Sequence, residues 1–168
     1  RALARPELVQ QVLARGHDLG NHSHSHPQSR FWRLGPATMG KEISACQQAL
    51  TEVAGTPPCW YRSVVGMTNP FVAPALKRLG LTRVGWSARG FDGVNCTPQS
   101  VLERLRPDLQ PGAIVLLHEG AAHGHNLAII EAVLLELQAR GLRAELPDAP
   151  APTADAPSSP VRPAPTAA

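Results

Sequence analysis

The stretch AIVLLH, residues 113–118, is apolar at every position until its last. A strand with one face in water alternates apolar and polar residues, whereas a strand covered on both faces is apolar throughout. So short an apolar run, set between the Pro111–Gly112 turn and a polar loop, predicts a buried parallel strand. Parallel neighbours cannot be joined by a hairpin and need a crossover, usually a helix, so the flanks should be helical. Upstream, Thr97 and Pro98 open a helical pattern through Val101, Leu102 and Leu105. Downstream, Asn126 is placed to cap a helix carrying Leu127, Ile130, Val133, Leu134 and Leu137, which Gly141 ends.

The same alternation extends toward the N-terminus. Residues 7–15, ELVQQVLAR, put Leu8, Val9, Val12 and Leu13 on one helical face, with Pro6 in the first turn and Gly16 as the stop. HDLG, residues 17–20, reads as a short strand. The run PATMGKEISACQQALTEVAG repeats the helical period through Met39, Ile43, Cys46, Leu50 and Val53 and closes at Gly55. PCWYR and TRVGW read as strands on either side of a helix that Asn69 and Pro70 open and Gly80 ends, with Phe71, Val72, Leu76 and Leu79 on it. LRAEL, residues 142–146, reads as the last strand. This pattern predicts an α/β fold with a parallel sheet and helical crossovers, open or closed as a barrel, with active groups at the C-terminal ends of strands.

A chain of 168 residues is long enough for one domain with a hydrophobic core, assigned here to residues 1–147. From Asp148 onward Val161 alone is large and apolar, so residues 148–168 are expected to form a disordered Pro/Ala-rich tail. The formal net charge is +3 with no Lys/Arg run, which argues against a nucleic-acid partner. No apolar stretch reaches the roughly 18 to 20 residues of a membrane span. Cys46, Cys59 and Cys96 lack the C-x-x-C spacing of redox and zinc-ribbon sites and read as ordinary thiols. The first residue is arginine rather than methionine, so the chain is expected to continue upstream.

Chemistry concentrates in a few places. GHDLGNHSHSHPQ, residues 16–28, holds His22, His24 and His26. Two histidines four apart project to one side of a helical turn, which favours His22 with His26; alternate residues of a strand share a face, which favours pairs through His24. Neutral imidazole is a good zinc ligand in either case. His118 ends the apolar strand, where a side chain with an ordinary pKa of about 6.5 can serve as a general acid. Arg62 and Asp92 stand at or just beyond two other strand ends, and an arginine meeting a carboxylate there forms a bidentate pair. His123 and His125 fall in a Gly/Ala-rich loop and read as solvated. Trp32, Trp60 and Trp86 could stack on sugar rings, with partial burial as the ordinary alternative. Glu119 should point away from His118.

Taken in order over residues 5–147, these segments resemble the polysaccharide deacetylase family, the NodB-homology domain of carbohydrate esterase family 4. GHDLGNHSHSHP is similar to the family's H-[ST]-x-x-H metal motif, which selects His22 and His26 and makes His24 a spacer. YRSVVG resembles its arginine motif, with Arg62 and Gly66 in place and Val64 where the family has proline. WSARGFDG resembles the segment whose aspartate orients that arginine, mapping to Asp92, with Gly93 where the family has tryptophan. LLHE is similar to the L-x-H motif, in which Leu116 lines the acetyl pocket and His118 is the acid.

The resemblance implies a distorted (β/α) barrel of the NodB type and a divalent metal, with zinc the first choice for imidazole ligands. It implies hydrolysis of N- or O-acetyl groups on an acetylated carbohydrate, with Trp86 a substrate contact. The family's N-terminal strand, whose aspartate pair supplies a base and a third metal ligand, has no counterpart in the chain. The expectation is therefore a barrel truncated at its N-terminus and poorly active by itself. The alternatives are a catalytically inactive carbohydrate-binding relative and a structural metal-binding module.

Overall fold

The computed structural model describes residues 1–150; most of the predicted tail, residues 151–168, lies outside them. The order of elements is α1 (Pro6–Ala14), β1 (Gly20–Asn21), α2 (Pro36–Ala54), β2 (Trp60–Tyr61), α3 (Val72–Arg78), β3 (Thr82–Arg83), β4 (Ala88–Arg89), α4 (Pro98–Leu105), β5 (Val115–Leu116) and α5 (Asn126–Ala139). Helix and strand alternate except at β3 and β4, which follow one another with no helix between them where the patterning predicts a single strand, and every ladder is parallel. The described residues divide into two compact units, residues 1–84 with 146–150, and residues 85–145.

The first unit carries a three-stranded sheet in the order β1-β2-β3, in which Gly20 and Asn21 pair with Trp60 and Tyr61, and these with Thr82 and Arg83. Its core joins Met39 and Ile43 of α2 to Phe31, Tyr61, Val64, Val72, Ala75, Leu76 and Leu81. α2 runs from Pro36 to a left-handed Gly55, φ 77°, which ends it by the conformation glycine adopts without steric cost. α3 begins later than the sequence suggests, because the Asn69 side chain accepts the Phe71 N–H at 3.0 Å and holds residues 69–71 in a turn. α1 keeps Leu8 and Val12 exposed, so only part of its apolar face is covered.

The second unit holds a two-stranded sheet, with Ala88 and Arg89 opposite Val115 and Leu116. α4 is built from local signals: Thr97 and Ser100 exchange side-chain to backbone hydrogen bonds as a capping box, and Pro98 follows the cap. Its predicted face, Val101, Leu102 and Leu105, is buried beside Ala88, Cys96, Leu109, Ile129 and Val133. α5 corrects two expectations. Asn126 is its first residue rather than its cap and donates to the Ala121 carbonyl at 2.8 Å. Its buried face runs through Ile129 and Val133, while Leu127 is 83% exposed and Leu134 53%. LRAEL forms no strand: Arg143 and Glu145 pair with each other at 2.8 Å in the open, and the segment has no ladder partner. The ladders are two residues long, and the described residues contain no closed sheet, so the α/β class stands while a barrel is not seen. Among the described residues no helix is long and apolar enough to cross a membrane.

Candidate active site

Both units use one device. Two adjacent parallel strands end in register, and the residues just past those ends meet. In the first unit the strands are β1 and β2, followed by His22 and Arg62. The Arg62 N–H donates to the Asn21 carbonyl at 2.9 Å, and the Arg62 carbonyl lies 2.8 Å from His22 Nδ1. A carbonyl can only accept, so His22 Nδ1 carries the hydrogen in this bond. This is the arrangement by which a histidine ligand is oriented through its far nitrogen.

His26 brings its ring to His22 with centroids 4.9 Å apart and planes at 66°. Two imidazoles binding one tetrahedral cation at about 2 Å would place their centroids roughly 5 Å apart, so the pair is spaced for a shared ion. The loop reaches this shape at a backbone cost, since Ser23 (φ 66°) and His26 (φ 51°) both lie in the left-handed region. Two anchors hold it. Buried Asn21 donates to the Ile43 carbonyl (2.9 Å) and to Gln47 Oε1 (3.0 Å), while its own Oδ1 accepts the Ser23 N–H (3.1 Å). The Glu42 carboxylate accepts the Ser25 N–H at 2.9 Å and the Ser25 hydroxyl at 2.8 Å. Sequence reading passed over Asn21, Glu42 and Gln47; the signal was a buried-strand asparagine facing polar positions of α2.

An open hollow of about 750 Å³ adjoins His26, lined also by Pro27, Gln28, Arg30, Val65 and Met67. Val64 is fully buried, and the following Val65 and Gly66 turn with φ of 46° and 75°. Burial lowers the Arg62 guanidinium pKa from its ordinary value. Among the described residues no group of three His, Cys, Asp or Glu side chains is arranged for a metal, whereas catalytic zinc usually takes three protein ligands.

In the second unit the strands are β4 and β5, with Asp92 beyond β4 after Gly90 and Phe91, and His118 beyond β5 after Leu117. Asp92 is 1% exposed, and its two carboxylate oxygens accept from one residue: Oδ2 from the His118 N–H, and Oδ1 from His118 Nδ1 at 2.9 Å. Asp92, which the resemblance assigns to holding Arg62, here fixes the tautomer and orientation of His118. The His118 side chain is 47% exposed, with Nε2 as its remaining nitrogen. A Cβ on Gly93 would lie 3.6 Å from His118 Nδ1, so glycine leaves one side of the imidazole uncovered. Leu116 is buried on β5. Trp86 is half-buried, with the Arg89 guanidinium 5.4 Å over its ring. Trp32 is exposed. His123 departs from the expectation of a solvated loop: it is half-buried, and its Nε2 lies 2.7 Å from the Asp92 carbonyl.

Residues 1–84 match the sequence model of the family described as polysaccharide deacetylase. The chain belongs to that family. A chitooligosaccharide deacetylase from Bradyrhizobium sp. (strain ANU 289) is 32% identical over 155 residues, spanning 85% of this chain and 65% of that protein. This polysaccharide deacetylase chain thus spans a little under two thirds of that relative's length. Among solved structures, the family 4 carbohydrate esterase from Streptomyces lividans in complex with acetate superposes with a TM-score of 0.77 at 30% identity, covering 86% of this chain and 73% of that one. The fold is also shared, at 17% identity and a TM-score of 0.75, with a family 4 pseudoenzyme from Bacillus anthracis, covering 84% of this chain and 49% of that one.

Proposed function

We propose that the chain is a metal-dependent deacetylase that hydrolyses acetyl groups on an acetylated carbohydrate, with an N-acetylated chitooligosaccharide as the first substrate to try. The observation that carries this reading is the His22–His26 pair, spaced for one cation, with His22 oriented by the Arg62 carbonyl. His22 and His26 would hold the ion, zinc by the preference of imidazole donors. A divalent ion there would polarise an acetyl carbonyl and acidify a water.

The chain's own residues supply the rest. Arg62 fixes the His22 tautomer and ring direction through its carbonyl. Asp92 holds His118 by Nδ1, so Nε2 is the atom from which a cationic His118 releases its proton to the departing amine or alkoxide. The buried carboxylate balances the charge of the ring in that state. Leu116 and Trp86 are the proposed contacts to the acetyl group and the sugar.

The test compares two acetyl donors. An N-acetylated chitooligosaccharide has an amine leaving group that must be protonated; an aryl acetate has a leaving group that need not be. His118→Ala should keep bound zinc and lose about 10²–10⁴-fold in acetate release from the amide, with a much smaller loss on the aryl ester. Undiminished amide turnover in the variant contradicts the role. The two-ligand character of the described site favours one rival, a carbohydrate-binding relative without turnover. It predicts sugar binding by the zinc-loaded chain with no acetate released from either donor.

A further inference from the structure

We propose that His123 is a positioning residue for the proton donor: it pins the backbone of Asp92, and through Asp92 the His118 imidazole. This rests on the reading of His118 as the acid. The assignment begins with hydrogen-bond donors. His123 Nε2 lies 2.7 Å from the Asp92 carbonyl, which can only accept, so Nε2 carries the hydrogen. His123 Nδ1 then offers a lone pair, and it receives the His125 N–H at 3.0 Å. One neutral tautomer satisfies both partners, and the two rings stack with centroids 5.6 Å apart. The Cys96 sulfur packs 3.8 Å from both His123 Nε2 and the Asp92 carbonyl.

Asp92 needs such a support. β4 ends at Arg89, so no strand ladder holds residue 92. Phe91 before it takes a left-handed φ of 56°, a strained value for an aromatic residue, and Gly93 after it has no side chain to pack. The carboxylate nonetheless makes both bonds that orient His118, so a shift of the Asp92 backbone moves the acid. His123 closes the loop after His118 back onto the residue that holds His118. A geometric error of about an ångström at a reacting group can cost roughly a hundredfold in rate.

The experiment uses the full zinc-loaded chain, His123→Ala and His123→Gln, the last because a glutamine amide can still donate to the Asp92 carbonyl. With the N-acetylated chitooligosaccharide, His123→Ala should lower kcat by about 10–100-fold at nearly constant KM. It should change aryl acetate turnover by less than about threefold, and His123→Gln should recover most of the amide activity. Equal losses on both donors, or no rescue by glutamine, overturn the proposal and leave His123 a merely structural residue.

Nitrogen-15 spectra of the histidine rings provide an arm independent of turnover. Wild type should show His123 neutral with hydrogen on Nε2, and a slowly exchanging His118 Nδ1 proton that His123→Ala loses and His123→Gln keeps. An unchanged His118 Nδ1 proton in His123→Ala overturns the proposal even if the chain is active. A wild type that releases no acetate sinks the deacetylase reading, and the ring spectra then still decide whether His123 positions His118.

Discussion

At the scale of single residues, the chemistry depends on which nitrogen of each histidine faces which oxygen. His22 and His118 are held alike, each by Nδ1 on an oxygen acceptor at the end of a neighbouring strand, a carbonyl in one case and a carboxylate in the other. The difference suits the roles proposed for them, because a neutral acceptor favours a neutral ligand ring and an anionic acceptor balances a cationic one. Tyr61 illustrates a residue whose environment is purely structural. It is fully buried under the β2 register, and burial pushes its phenol up to about 12, with the Ser63 side chain opposing the shift. An unfolded tyrosine ionises near ~10. Between that pH and about 12 the unfolded chain therefore sheds a proton that the folded chain keeps, and stability falls as pH rises. Urea titrations should show wild type losing stability more steeply than Tyr61→Phe over that interval; parallel slopes would refute the assignment.

At the scale of elements, legibility follows how local the cause is. α4 could be read because Thr97, Pro98 and Ser100 start it within four residues, and its three predicted apolar positions are those buried. α5 is apolar on nearly all sides, so the period could not choose between the Leu127–Leu134 stripe and the Ile129–Val133 stripe that packs. LRAEL alternates as a strand should, yet a strand needs a ladder partner, which its own residues do not specify. The histidine motif was legible through the family resemblance, since spacing alone left the pairing of His22, His24 and His26 open. Its supports were not, because Asn21 reaches α2 across 22 and 26 positions, and Asp92 reaches His118 across 26. His123 was hidden by its glycine and alanine neighbours. Gly90 gives an element-scale prediction: a Cβ there would collide with Val101 Cγ1 and crowd the Val101 carbonyl, at the close approach of α4 to the end of β4. Gly90→Ala should destabilise the fold by roughly 1–3 kcal/mol in chemical denaturation. A variant as stable as wild type would show that this approach is looser than described.

At the scale of the whole molecule, the question is whether the proposed metal would serve chemistry or folding. Each unit has its own apolar core, and neither core includes the histidine pair. A structural zinc module would unfold without its ion, since binding and folding free energies are then one quantity. Here chelation should abolish acetate release and lower the melting temperature only modestly, with the far-ultraviolet circular dichroism retained. Loss of that signal on chelation would favour the structural module.

The central claim is that His22 and His26, whose rings the anchored loop brings together, hold one cation. Zinc titration followed by nitrogen-15 spectra of the histidine rings tests it directly. The account predicts that the Nε2 signal of His22 and a ring nitrogen of His26 shift together with one stoichiometric zinc. His22 should keep its Nδ1 hydrogen, and the His24 ring should show no direct ligation. Independent shifts of the two rings, or zinc on His22 Nδ1, would contradict it.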